Sequence, residues 1–317
     1  MAPIRLTTVA AAMVVLLTGV LVYQTWTQHQ RQALLEAAHA TSLTPPLEPM
    51  RVFHLGHSLV GRDMPAMLEQ LAGPGHTHAS QLGWGTSLRE HWYPDQPVNG
   101  FEQENDHDHF RPARDAVGSG EYDAVILTEM VELRDAIRYH DSPTYKHIWA
   151  DLARAASPDT RVYLYETWHR LDDPDGWLDR LDQDFDALWR GELLAGDITA
   201  SGTERATRII PAGQVMAEFV RAIESQGGVG NIGDRTALFA RDANGEQDMI
   251  HLSDPGKYLV ALTHYAVLYK RSPLGLPAQL SRADGLPADA PSPEAARLMQ
   301  EIVWRVVRRL PETGVGS

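Results

Sequence analysis

Two kinds of apolar pattern alternate along this chain. Residues 51–55 ("RVFHL"), 122–129 ("YDAVILTE"), 161–168 ("RVYLYETW") and 206–213 ("ATRIIPAG") are short apolar runs without a consistent polar face. Strands of a parallel sheet covered on both sides read this way. A weaker strand is expected to end near Gln81. Between the runs, apolar residues return at helical spacing over 63–71, 145–156, 176–193, 215–225 and 255–273. The last of these has a proline at its start, Pro255, and closes before another, Pro273. The alternation predicts a doubly wound α/β domain with about five parallel strands, whose ligands bind at the carboxyl ends of the strands. A further amphipathic helix, residues 292–310, is expected to pack on that domain.

The N-terminus departs from the pattern. After Arg5, residues 6–23 ("LTTVAAAMVVLLTGVLVY") carry no charge and are long enough to cross a bilayer. Tyr23 and Trp26 suit an interfacial belt, and no small-residue cleavage motif follows closely. An uncleaved anchor is therefore expected, with the remainder extracytoplasmic; secretion after cleavage is the alternative. The expected organisation is an anchor or signal segment at 1–23 and a juxtamembrane linker at 24–49. A catalytic domain then spans 50–275, and an extension with the amphipathic helix spans 276–317.

Composition narrows the function. In 317 residues, 43% are hydrophobic, which allows a full core. The net charge of −14, with no basic block to offset it, argues against nucleic acid as a partner. The absence of cysteine excludes disulfides, thiolate metal sites and cysteine nucleophiles.

The residues that invite chemistry sit at strand ends. Gly56-His57-Ser58 stands where the first strand meets the first helix. A serine lifted onto such a corner suits a nucleophile, though an ordinary tight turn looks the same. Activating it requires an imidazole base and a carboxylate to orient that base. Asp248 and His251, three apart in "QDMIHLSDPGKYL", can meet in a turn before the last helix of the domain. Trp84, His91, Trp92, Glu166, Trp168 and His169 are candidate pocket walls, each equally able to be a packed strand end or core residue. "GHTHA" (75–79) and "ENDHDHF" (104–110) bring together residues that suit zinc or manganese. Serine-based chemistry needs no metal, so neither a metal nor another cofactor is expected.

The blocks "FHLGHSLV", "GWGTSL" and "DMIHLSDPGKYLVAL" resemble, in order and spacing, those of the SGNH/GDSL hydrolase superfamily. They look closest to lipase-like or esterase-like members whose first block reads GNS. The likeness spans residues 51–271, with the specific matches confined to these short blocks. It implies a flavodoxin-like three-layer α/β sandwich. It also implies Ser58 as nucleophile, His251 as general base and then acid, and Asp248 as its orienting partner. Ser58 and Gly85 would supply oxyanion-hole N–H groups, with Gly83 a competitor for the glycine's role. Two positions depart from the pattern. His57 replaces the usual Asp or Asn, as either a structural or a substrate-facing residue. The third block ends in "LTEMVE", without its asparagine. There Thr128 could donate a hydroxyl, whereas an ionised Glu129 could only accept; both are candidate pocket residues with His57 and Trp84. The expected activity is hydrolysis of a small acyl ester, acetyl above all, on a carbohydrate or similar polar carrier. Acyl transfer to a sugar hydroxyl, or a binding module without turnover, are the alternatives.

Overall fold

The computed structural model describes residues 27, 29–202 and 204–316. The apolar run at 6–23 lies outside them; among the described residues no helix is long and apolar enough to cross a membrane. A helix over residues 29–39 (α1) precedes β1 (Arg51–His57), α2 (Asp63–Ala72) and β2 (Thr77–Gly83). Three short helices, α3 (Leu88–Trp92), α4 (Phe101–Asn105) and α5 (Ala113–Gly118), lead to β3 (Ala124–Leu127). Next come α6 (Leu133–His140), α7 (Ser142–Ala156) and β4 (Arg161–Glu166). After them α8 (Trp177–Asp184) passes through a π-helical stretch, Phe185–Leu194, into α9 (Ala195–Ser201). Then β5 (Arg208–Pro211) and α10 (Ala212–Gln226) precede a hairpin of β6 (Phe239–Arg241) and β7 (Gln247–Leu252). The last helices are α11 (Asp254–Tyr269) and α12 (Pro293–Arg309).

The five main strands form one parallel sheet in the order β2-β1-β3-β4-β5. Alternate side chains divide between its two faces, as the twofold period of a strand requires. Val52, Ile126, Tyr163, Tyr165 and Ile210 pack with α2, α10, α11 and α12. Phe53, Leu55, Val125, Leu127 and Val162 pack with α3, α5 and α7. Helices on both faces make this the doubly wound α/β domain that the alternation predicts and the three-layer sandwich that the resemblance implies, and explain why the strands lack a polar face. The chain turns back at β1, with β2 on one side and β3 on the other. Ligand sites of such sheets lie beyond the strand ends at that reversal.

Two elements differ from expectation. The predicted helix at 176–193 is α8 running into the π-helical stretch, which shifts the register at Phe185. The 3.6-residue period alone carried no sign of that. The segment before α11 is the antiparallel β6–β7 hairpin rather than a turn. The amphipathic α12 packs on the domain as expected, with Ala296, Met299, Ile302, Val303, Val306 and Val307 in the core that contains α10 and α11. At the other end of the chain, α1 buries Leu35, Ala38 and His39 on the domain, and the His39 ring bridges Leu35 O and Thr207 O.

Candidate active site

Beyond the end of β1 the backbone doubles back, with Val60 N–H donating to His57 O (2.9 Å) and Gly61 at φ +57°. Gly56 permits this corner, because a Cβ there would lie 2.6 Å from Thr128 Cβ on the neighbouring strand's extension. Ser58 thus stands at the mouth of a cleft of about 820 Å³. His251 Nε2 lies 3.0 Å from Ser58 Oγ, and His251 Nδ1 lies 2.9 Å from Asp248 Oδ2. A carboxylate only accepts, so Nδ1 carries the proton and Nε2 is free to accept from the serine. The three residues come together across 193 positions of chain.

Asp248 and His251 form a self-contained unit on β7. Asp248 Oδ1 accepts from the N–H groups of Ile250 and His251, both at 2.8 Å, while Oδ2 takes the ring. Burial opposes ionisation of Asp248, but those two N–H groups and the imidazole outweigh it and hold the carboxyl below its usual range. The hairpin is docked by Trp168 Nε1–H on Ile250 O (2.7 Å) and Leu171 N–H on Met249 O (2.8 Å).

Gly85 and Trp84 line the same cleft. Gly85 has φ +58°, a left-handed conformation that favours glycine, and open space where a side chain would begin. Ser58 and Gly85, the residues whose N–H groups the resemblance assigns to an oxyanion hole, both line the cleft. Gly83 is packed behind, where a Cβ would collide with Thr86 and Val98. Of the two glycines, Gly85 is the one facing the cleft. Trp84 is 50% exposed, and its Nε1–H donates to Glu104 Oε1 (2.7 Å).

Other expected pocket residues lie elsewhere. His57 borders the cleft but is buried, with Nε2 donating to Glu129 O (2.8 Å) and Nδ1 accepting from Leu59 N–H (3.4 Å). Burial lowers its pKa to about 4, so the ring is neutral at pH 7. Thr128 and Glu129 correct the sequence reading: both are fully buried behind the corner and absent from the cleft lining. Glu129 Oε1 accepts from Leu88 N–H (3.2 Å) and Met130 N–H (2.8 Å), and burial raises its pKa to about 7. His91 is buried on the inner face of α3 and donates to Gly56 O (2.7 Å), while Trp92 sets its ring edge-on to Trp149. Trp168 does line the cleft; Glu166 is buried beneath it, where desolvation raises its pKa to about 8. Sequence reasoning missed Arg62, Met64, Val131, Arg170, Ile250 and Val260 in the lining. Only Ile250, which lies between Asp248 and His251 in the sequence, carried a local signal.

The two histidine-rich stretches do meet. His78 and His109 stack with centroids 4.1 Å apart and planes 13° from parallel. Stacked rings hold their nitrogens side by side and do not aim them at one point, so the pair is a poor chelate. Among the described residues, Glu132, His169 and Asp173 have ligand atoms close enough for one ion. The Arg180 guanidinium already lies among them, 2.8 Å from Glu132, 2.7 Å from Asp173 and 2.8 Å from Asp184. The cluster is an ion network that ties the loops after β3 and β4 to α8.

No protein-family model and no curated protein matches the sequence. Among solved structures, the chain is similar to a DUF4886 family protein from Bacteroides uniformis, at 15% identity and TM-score 0.50. That likeness covers 82% of this chain and 95% of the other. A provisionally named GDSL-like lipase from Parabacteroides merdae matches at 12% identity and TM-score 0.42, over 72% of this chain and 99% of its own. At such identities the likeness is one of fold. The chain, with helices on both faces of a five-stranded parallel sheet, thus shares its fold with that DUF4886 family protein.

Proposed function

We propose that this protein is a serine ester hydrolase. The observation that carries the reading is the continuous contact of Ser58, His251 and Asp248 at a cleft that Gly85 also lines. In the proposed reaction, Ser58 Oγ attacks the ester carbonyl as its proton passes to His251 Nε2. The oxyanion accepts from the N–H groups of Ser58 and Gly85. Collapse of the intermediate expels the alcohol, which takes the proton from His251 and leaves an acyl-Ser58 ester. Water, deprotonated by His251, then attacks that ester, and Ser58 leaves with its proton restored.

The lining supports an acyl group larger than the acetyl favoured by the sequence. Leu59, Val60, Met64, Val131, Trp168 and Ile250 present apolar walls in a cleft within the usual size of small-molecule sites. Each buried methylene is worth about 0.8 kcal/mol, roughly a fourfold gain in kcat/KM per carbon until the cleft is filled. The apolar run at 6–23 supports a membrane-tethered, extracytoplasmic enzyme. Recovery of the full-length protein in a carbonate-washed membrane fraction tests that tether.

The chemistry is tested by fluorophosphonate labelling of wild type beside Ser58→Ala and His251→Ala, followed by p-nitrophenyl esters from acetate to decanoate. Labelling that requires both residues, with kcat/KM rising beyond acetate, is expected. A folded wild type that is neither labelled nor active on any ester would overturn the reading. An acetate optimum would restore the short acyl group.

A further inference from the structure

Glu129 follows β3 in the segment where the resembling family carries its third-block asparagine, yet it lies outside the cleft lining. It instead touches both elements that carry the proposed oxyanion donors. Its carbonyl accepts from the His57 ring, one residue before Ser58, at 2.8 Å. Its carboxylate accepts from Leu88 N–H, three residues after Gly85, at 3.2 Å. Helix α3 then returns to the corner, because His91 Nε2 donates to Gly56 O at 2.7 Å. Gln81 Nε2 donates to the other nitrogen of His91 at 3.0 Å, which fixes the ring's tautomer. Gly56-His57, Glu129, Leu88 and His91 therefore close a ring of hydrogen bonds. Each of its members is buried. The chain continues from that ring to Ser58 on one side and back to Gly85 on the other.

We infer that Glu129 is a positioning residue which, with His57 and His91, sets the separation of the Ser58 and Gly85 N–H groups. The inference rests on the esterase reading above. An oxyanion hole works only if its donors are already in place, and displacement by about 1 Å can cost about 100-fold in rate. Glu129, just beyond the end of β3, thereby holds the two donors in register. Its carboxylate aims at a main-chain N–H and away from the developing negative charge.

The test compares Glu129→Gln with Glu129→Leu in the full chain, reading kcat, KM and amide hydrogen exchange. Glutamine keeps an oxygen for Leu88 N–H, so kcat should stay within about threefold of wild type. Leucine opens the ring, so kcat should fall by about 100-fold with KM within about threefold. Exchange at residues 85–91 should rise in the leucine variant and stay at the wild-type level in the glutamine variant. If Glu129→Leu does not fold, His91→Phe opens the ring at its other end and should show the same kcat-only loss. Wild-type kcat in the ring-opened variant, or a glutamine variant as impaired as the leucine one, overturns the inference. If wild type itself proves inert, the esterase reading fails while the ring is still judged by exchange; unchanged protection at 85–91 in the ring-opened variant then overturns it.

Discussion

Replacing Asp248 by asparagine separates the orienting role of the carboxylate from its role in the hairpin. An amide oxygen in the place of Oδ1 still accepts from Ile250 N–H and His251 N–H, now at 2.8 Å each, so β7 should keep its shape. The amide nitrogen would then face His251 Nδ1, 2.9 Å from the present oxygen, and a nitrogen donor cannot accept the ring proton. The imidazole answers by moving its proton to Nε2, which points a donor at Ser58 Oγ and removes the base. In serine hydrolases with a buried dyad, this exchange lowers kcat by about 10⁴. Here the side chains of His251 and Asp248 are 47% and 31% exposed, so water can partly take the carboxylate's place. The expected loss is therefore about 10² to 10⁴ in kcat, or roughly 2.7–5.4 kcal/mol of barrier. The assay is steady-state hydrolysis of p-nitrophenyl butyrate, with thermal melting as the control for fold. A variant within about tenfold of wild type, melting normally, would refute the orienting role.

Three further outcomes follow from the packing. Arg180→Met leaves Glu132, Asp173 and Asp184 facing one another without their shared cation. Breaking a buried ionic group in this way costs about 3–5 kcal/mol, so Tm should fall by about 10 °C; an unchanged Tm would show the network to be dispensable. Burial lowers the pKa of His57, His91 and His264 to about 4, below the 6.5 of an unfolded histidine. Their contribution to stability is thus complete above pH 6.5 and is lost as pH falls from 6.5 towards 4, where the unfolded chain alone takes up protons. Each costs about 1.4 kcal/mol per pH unit across that window, and a denaturation midpoint that stays flat from pH 7 to 5 would contradict their burial as neutral rings. Gly85→Ala adds a methyl group into open space at φ +58°, so only the left-handed backbone cost of about 1–2 kcal/mol applies. The protein should fold and keep at least a tenth of its kcat, whereas complete inactivity would mean that the loop cannot hold its conformation without glycine.

The sheet was legible because four of its strands are buried on both faces and stand out as apolar runs. The edge strand β2 was faint: Thr77, His78, Ser80 and Gln81 place polar groups on a strand with one neighbour. The β6–β7 hairpin was not read at all, since β6 is three residues long and "QDMIH" reads equally well as a turn. Ser58, Asp248 and His251 could be paired because the chemistry demands those types at strand ends. The roles of Thr128 and Glu129 could not, because sequence does not tell which way a residue beyond a strand will turn. His57 shows the same limit: its partner is a main-chain oxygen, which leaves no trace in residue identity.

The placement of the proposed base on a small hairpin has a consequence for how the protein responds to heat. Ser58 is an extension of the central sheet, whereas Asp248 and His251 ride on the mostly half-buried β7, held by Trp168 and Leu171 and by buried Phe239 and Leu252 of the hairpin. Strands so lightly covered open at a lower free energy than the sheet interior. Activity and structure should therefore melt apart: on warming, hydrolysis would fade reversibly while the sheet's circular dichroism stays intact. A cross-link from β7 to the loop after β4 would close that gap without raising the final Tm.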